Sequence, residues 1–186
     1  MKNYNYNYGN GDNSKEQHIS ILKLMGVFSL LIILALSTQR IVSGVGFSLN
    51  CLQYLKRAAD ANTVGLAQKN LESAIIYLEE KNLTNGVVSI FLHQPKNDIG
   101  YFYTNLKASL KELQEVTDKT TQLEKTNVLM KLRETLCDNS DQGTTITCPD
   151  GISIYPHNVL FFWIFMVFGT YSIVFIVFLF LKVLDV

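Results

Sequence analysis

Hydrophobic residues are arranged in two ways along this chain. Toward each end they run together, and between those runs they recur every three or four positions. Val159–Leu181 continues for 23 residues without a charge. A helix of that length crosses a hydrocarbon core of roughly 30 Å. Phe161, Phe162 and Trp163 open the run and Lys182 follows it. Aromatic rings favour the membrane interface, and a terminal lysine snorkels to the headgroups. The other run is less clean. Leu24–Leu36 is free of charge and apolar character resumes at Ile41–Leu49, with Lys23 and Arg40 at the edges. It fits a span over Ile19–Leu36 or over Leu24–Val45. It also fits a cleaved signal peptide with Ala35-Leu36-Ser37 as a small-x-small site.

Between the runs the pattern is that of amphipathic helices. Leu52, Leu55, Ala59, Thr63, Leu66 or Ala67, Leu71, Ala74 and Leu78 form one stripe. They predict a single helix from Phe47 to Lys81, about 52 Å long at 1.5 Å per residue. A break at Ala61–Gly65, with Asn62 as N-cap, is the alternative. A second stripe runs through Ile99, Phe102, Leu106, Leu110, Leu113, Val116 and Leu123. After a slip in register, Val128, Leu129, Leu132 and Leu136 continue it. Capped by Asn97 or Asp98, a helix from Asn97 to Leu136 would be about 60 Å long. Two such helices predict an antiparallel hairpin with its stripes packed together.

The turn of that hairpin, Asn82–Lys96, holds the apolar run Val87-Val88-Ser89-Ile90-Phe91-Leu92, with Tyr101 and Tyr103 close behind. At the hairpin's far tip, the run fits a plug over the helix ends or a contact surface. The candidate partner-contact residues are therefore Val87, Val88, Ile90, Phe91, Leu92, Tyr101 and Tyr103. From Cys137 to His157 the periodicity is lost and a polar loop is expected. Cys137 and Cys148 bracket part of it and suit a disulfide in an oxidising compartment. Cys51 reads as a small buried hydrophobe.

Charge narrows the function. The formal net charge is zero, and the segment 47–157 holds 11 basic and 13 acidic side chains with no basic run. Nucleic acid is therefore not an expected partner. His18, His93 and His157 are far apart, without metal-ligand spacing. Neither a nucleophile elbow nor a glycine-rich phosphate loop occurs, so no catalytic, cofactor or metal residue is assigned and no enzyme is expected. Orientation follows from the second span: 138–158 carries no Lys or Arg, whereas Lys182 lies beyond the span. Both termini are expected in the cytoplasm and the middle outside it.

LKRAADANTVGLAQKNLESAIIYLEEKNLTNG with PKNDIGYFYTNLKASLKELQ, within Leu55–Gln114, resembles segments of uncharacterised bacterial membrane proteins, cyanobacterial ones in particular. That resemblance carries no residue role. The layout also resembles the ligand-sensing domains of bacterial chemoreceptors, from which it departs in having only Lys182–Val186 after the second span. The expected fold is an all-α membrane protein. Residues 1–18 form a disordered polar tail, 19–45 the first transmembrane helix and 46–157 an extracytoplasmic helical hairpin. That domain has its apolar tip at 83–96 and its cysteine loop at 137–148. Residues 158–181 form the second transmembrane helix and 182–186 a short cytoplasmic tail. The expected role is a non-enzymatic interaction or accessory subunit in a bacterial plasma membrane, partnered by the lipid bilayer and by itself or another membrane protein. The alternative is a sensory module signalling through a separate partner. A continuous apolar seam between the helices favours the first role, and a polar pocket there favours the second.

Overall fold

A computed structural model describes residues 10–140 and 143–184. The chain is mostly helical and divides into two units, Met1–Gln39 with Leu160–Val186, and Arg40–Val159. Helix α1 runs Asn10–Phe47, so its start lies inside the segment expected as a disordered tail; residues 1–9 of that tail fall outside the described residues.

The first unit pairs α1 with α6, Asn158–Leu184. Their contact rests on small residues. A Cβ added at Gly26 would stand 2.4 Å from the ring of Phe175, so only glycine lets the ring approach. One turn on, Ser29 Oγ lies 2.9 Å from Ser172 Oγ and also donates to Gly26 O at 2.9 Å. A hydroxyl has one proton, so Ser172 is the donor between the serines. Matching Gly26 to Phe175 and Ser29 to Ser172 makes the pair antiparallel. Most other large apolar side chains here are exposed, among them Leu24, Phe28, Leu34, Val167, Ile173, Val174 and Phe180.

In the second unit α1 passes through a π-turn, Ser48–Leu52, into α2, Gln53–Ala59. The chain then folds into α3 (Val64–Glu80), α4 (Ile99–Glu115) and α5 (Gln122–Leu136). Packing runs α2 on α3, α3 on α4, α4 on α5 and α5 back on α2. This up-down-up-down bundle replaces the expected hairpin of two long helices. Each long helix is broken once, and caps make the breaks. Thr63, rather than Asn62, caps α3, its hydroxyl accepting from Leu66 N–H at 3.3 Å. Thr121 caps α5 in a capping box, accepting from Glu124 N–H at 3.3 Å while Glu124 accepts from Thr121 N–H at 2.8 Å. That second break falls ahead of the register slip in the stripe, which follows Leu123. Each cap satisfies amide groups that would otherwise lack partners and lets a stripe double back on itself. At 1.5 Å per residue, α3 and α4 are each about 26 Å long, half or less of the expected lengths.

The core follows the stripes. Leu55, Ala67, Leu71, Ala74, Leu78, Ile99, Leu106 and Leu113 are almost wholly buried in one cluster. Of the Leu66 and Ala67 alternatives, Ala67 faces in and Leu66 stays half exposed. Leu123, placed on the second stripe by spacing, is 71% exposed in the first turn of α5. The segment 137–146, expected as loop, forms a short antiparallel pair, β1 (Cys137–Ser140) with β2 (Gly143–Ile146).

The break at each predicted helix moves the apolar segment 83–96. Far from the chain's points of entrance and exit lie the turns Asp60–Thr63 and Val116–Thr121, which share a cleft. Residues 81–98 lie at the opposite end of the bundle. There α3 ends in a Schellman motif: Asn82 takes φ 54°, its N–H donates to Glu79 O at 3.0 Å, and Leu83 N–H donates to Leu78 O at 2.8 Å. This turns Leu83 into the core, where it is 5% exposed. The segment is therefore not the far tip of a hairpin.

Candidate functional site

Two places gather the residues that sequence pattern marked. One is the 83–103 region. Gly86 O accepts from Ile99 N–H at 2.8 Å, Asn97 O accepts from Val88 N–H at 3.0 Å, and Val87 pairs with Asp98 in an antiparallel bridge. This stem closes a loop over 89–96, inside which the Ser89 hydroxyl donates to Leu92 O. Gly86 has φ 105°, and any Cβ there would strike the Tyr155 hydroxyl. Asp98 caps α4 by accepting from Tyr101 N–H at 3.0 Å.

The stem divides the seven candidate contact residues. Val88 is 4% exposed and belongs to the core; Val87 and Ile90 are half-buried. Tyr103 is also half-buried and engaged: its hydroxyl donates to Glu79 Oε1 at 2.5 Å, which also receives Lys107 Nζ at 3.3 Å. Phe91, Leu92 and Tyr101 stand out at 67%, 71% and 65% exposure. The segment is thus partly plug and partly presented surface. The Tyr103 hydrogen bond, then the Lys107 ammonium, hold the Glu79 carboxyl below its ordinary range. The same bond raises the Tyr103 phenol. This cluster ties the end of α3 to the start of α4 on the bundle surface.

The second place holds the cysteines. Cys51, Cys137 and Cys148 are free thiols, and no disulfide is at bonding distance. The expected Cys137–Cys148 bond is therefore not formed. Strand pairing sets Cys137 opposite Ile146. Cys148 lies two residues beyond that partner position, and diagonal neighbours stand roughly 7–8 Å apart, past the Cα separation a disulfide usually spans. Cys148 instead packs against the core that contains Cys51. Burial pushes the Cys51 thiol up to about 12, with Cys148 adding to the effect. Burial likewise pushes Cys148 up to about 11. These thiols are poor nucleophiles at neutral pH, since the thiolate is the reactive form.

Sequence pattern did not reveal the clefts, because distant segments build them. One polar cleft, of about 540 Å³, brings Ser43 of α1 and Asn50 of the π-turn to Tyr77, Glu80 and Lys81 at the end of α3 and to Tyr155. Glu80 and Lys81 are exposed, so the cleft opens to the surface. Among the described residues no group of three His, Cys, Asp or Glu side chains is placed to hold a metal ion. Comparison with protein-family models, with curated proteins and with solved structures finds no match.

Proposed function

We propose that this chain is a two-pass integral membrane protein, spanning at 19–45 and 158–181, that presents the 46–157 helical bundle outside the cytoplasm as a non-enzymatic interaction subunit. The observation that carries the membrane assignment is exposure. Two helices are long and apolar enough to cross a membrane, and only 11% of each apolar window is buried. The core helix of a water-soluble protein hides such a surface, whereas a span turns it to lipid. The antiparallel pairing of α1 with α6 through Gly26 and Ser29 agrees with this, because small residues and shared hydroxyl groups are how helices associate where lipid replaces water.

The interaction role rests on the seam. The bundle's interior is continuous and apolar from Cys51 to Leu136. The polar clefts between its helices open to the surface. A sensory module needs an enclosed polar site that ligand can close, and the bundle's geometry supports an interaction role instead. Orientation is tested with reporters active only in the cytoplasm, one joined after Val186 and one inserted between Ser140 and Gly143. The first should be active and the second silent; activity from the inserted reporter overturns the orientation. Mass measurement of the full chain in mild detergent tests the interaction role. Self-association or a stoichiometric companion is expected, and a lone monomer at membrane-like protein density overturns it.

A further inference from the structure

We propose that the 89–94 loop is a membrane-surface anchor, with Phe91 and Leu92 seated in the lipid interface. This rests on the two-span reading above. The loop is held at the end of the bundle where the chain enters as Arg40–Phe47 and leaves as Asn158–Val159. Leu83 and Tyr155 line one cleft with Val42 and Phe47 of the entering helix. Tyr155 also abuts Gly86, at the foot of the loop's stem. On the loop's other side, Pro95 and Lys96 line a small apolar cleft with Cys148 and Pro149, ten and nine residues before the chain leaves the unit at Asn158. Both feet of the loop therefore stand at the level of the entering and leaving segments.

The interface reaches that level on independent grounds. Ile41, Val42, Val45 and Leu49, on the entering helix within the bundle unit, are 65%, 65%, 52% and 51% exposed. Lipid contact explains such a run on a helix that continues an apolar span. Phe91 and Leu92 are exposed on a loop pinned at its stem by two backbone hydrogen bonds, so burying them costs little further ordering of the chain. An aromatic residue beside a leucine is the pair that interfacial anchors use. Lys96 is exposed at the loop's foot and suits a headgroup phosphate, whereas the Asp98 carboxylate is turned away to cap α4.

Trp163 is the only tryptophan and lies in the proposed second span, which gives the experiment its internal reference. The full chain is reconstituted in nanodiscs whose lipid acyl chains carry bromine, a contact quencher of tryptophan emission. Parent protein reports on Trp163. In a Trp163→Phe background, Phe91→Trp reports on the loop and Leu123→Trp on an exposed site at the far end of the bundle. The expected result is quenching and a blue shift for Phe91→Trp, quenching for Trp163, and unchanged emission for Leu123→Trp. Adding Leu92→Asp to Phe91→Trp should reverse much of that quenching while the helical circular dichroism is kept. Quenched Trp163 with unquenched Phe91→Trp overturns the anchor and leaves the spans standing, the outcome expected if a protein surface covers the loop instead. Unquenched Trp163 overturns the span reading and the anchor with it. Equal quenching at Leu123→Trp also overturns the anchor, since the effect would then not depend on position.

Discussion

Leu106→Ala and Leu123→Ala remove the same atoms from two residues that spacing puts on one stripe, and the structure assigns them opposite fates. Leu106 is 1% exposed between α3 and α4, whereas Leu123 is 71% exposed. At Leu106 the lost transfer free energy is about 2.4 kcal/mol, three methylene equivalents at roughly 0.8 each. A cavity that only partly collapses raises this to about 3–4 kcal/mol. At Leu123 water already surrounds the side chain, so the change stays within about 0.5 kcal/mol. Amide hydrogen exchange of the full chain in detergent reads the difference, because the α3 and α4 amide groups exchange chiefly through large-scale opening. A loss of about 3 kcal/mol accelerates that exchange by roughly 150-fold at 1.4 kcal/mol per tenfold. Leu106→Ala should show it and Leu123→Ala should not. Similar acceleration from both would refute the break at Val116–Thr121, and with it the four-helix arrangement.

The Ser29–Ser172 hydrogen bond should give a coupling of about 0.6 kcal/mol in a double-mutant cycle of alanine substitutions, the size typical inside membranes; additive single effects on detergent melting would contradict the pairing of α1 with α6. Glu79 has a depressed folded-state pKa, caused first by Tyr103 and then by Lys107, so its contribution is fully present above the ordinary value of 4.5 and is lost as pH falls through the folded value. The urea midpoints of parent and Glu79→Gln should therefore differ at neutral pH and converge below that range, and a gap that persists in acid would count against it. Cys51, wholly buried with its thiol pushed up to about 12, should resist alkylation at pH 8 until the bundle is unfolded. Labelling of native Cys51 as fast as a free thiol would show that the core is open there.

What could be read from the chain, and what could not, divides along a physical line. Burial side is a local property of helix geometry, so the spacing of Leu71, Ala74 and Leu78 and of Ile99, Phe102 and Leu106 placed those residues in the core. Helix ends are set by capping worth about 1 kcal/mol, a far weaker signal than a continuing stripe. Thr63 and Thr121 bear those caps while apolar spacing carries straight through the first and, from Val116 to Leu123, across the second. One missed cap in each long helix left most stripe residues on their correct face, Leu123 excepted, but inverted the place of the apolar segment, from the far end of a hairpin to the end where the chain enters and leaves. That inversion changes what Phe91 and Leu92 can meet. At a far tip, two exposed apolar side chains can be covered only by another protein. Beside segments that run on into apolar helices, the two-span proposal lets them meet a bilayer surface as well. The same count of exposed carbon therefore points to a different occupant once two threonine hydroxyl groups are given their partners.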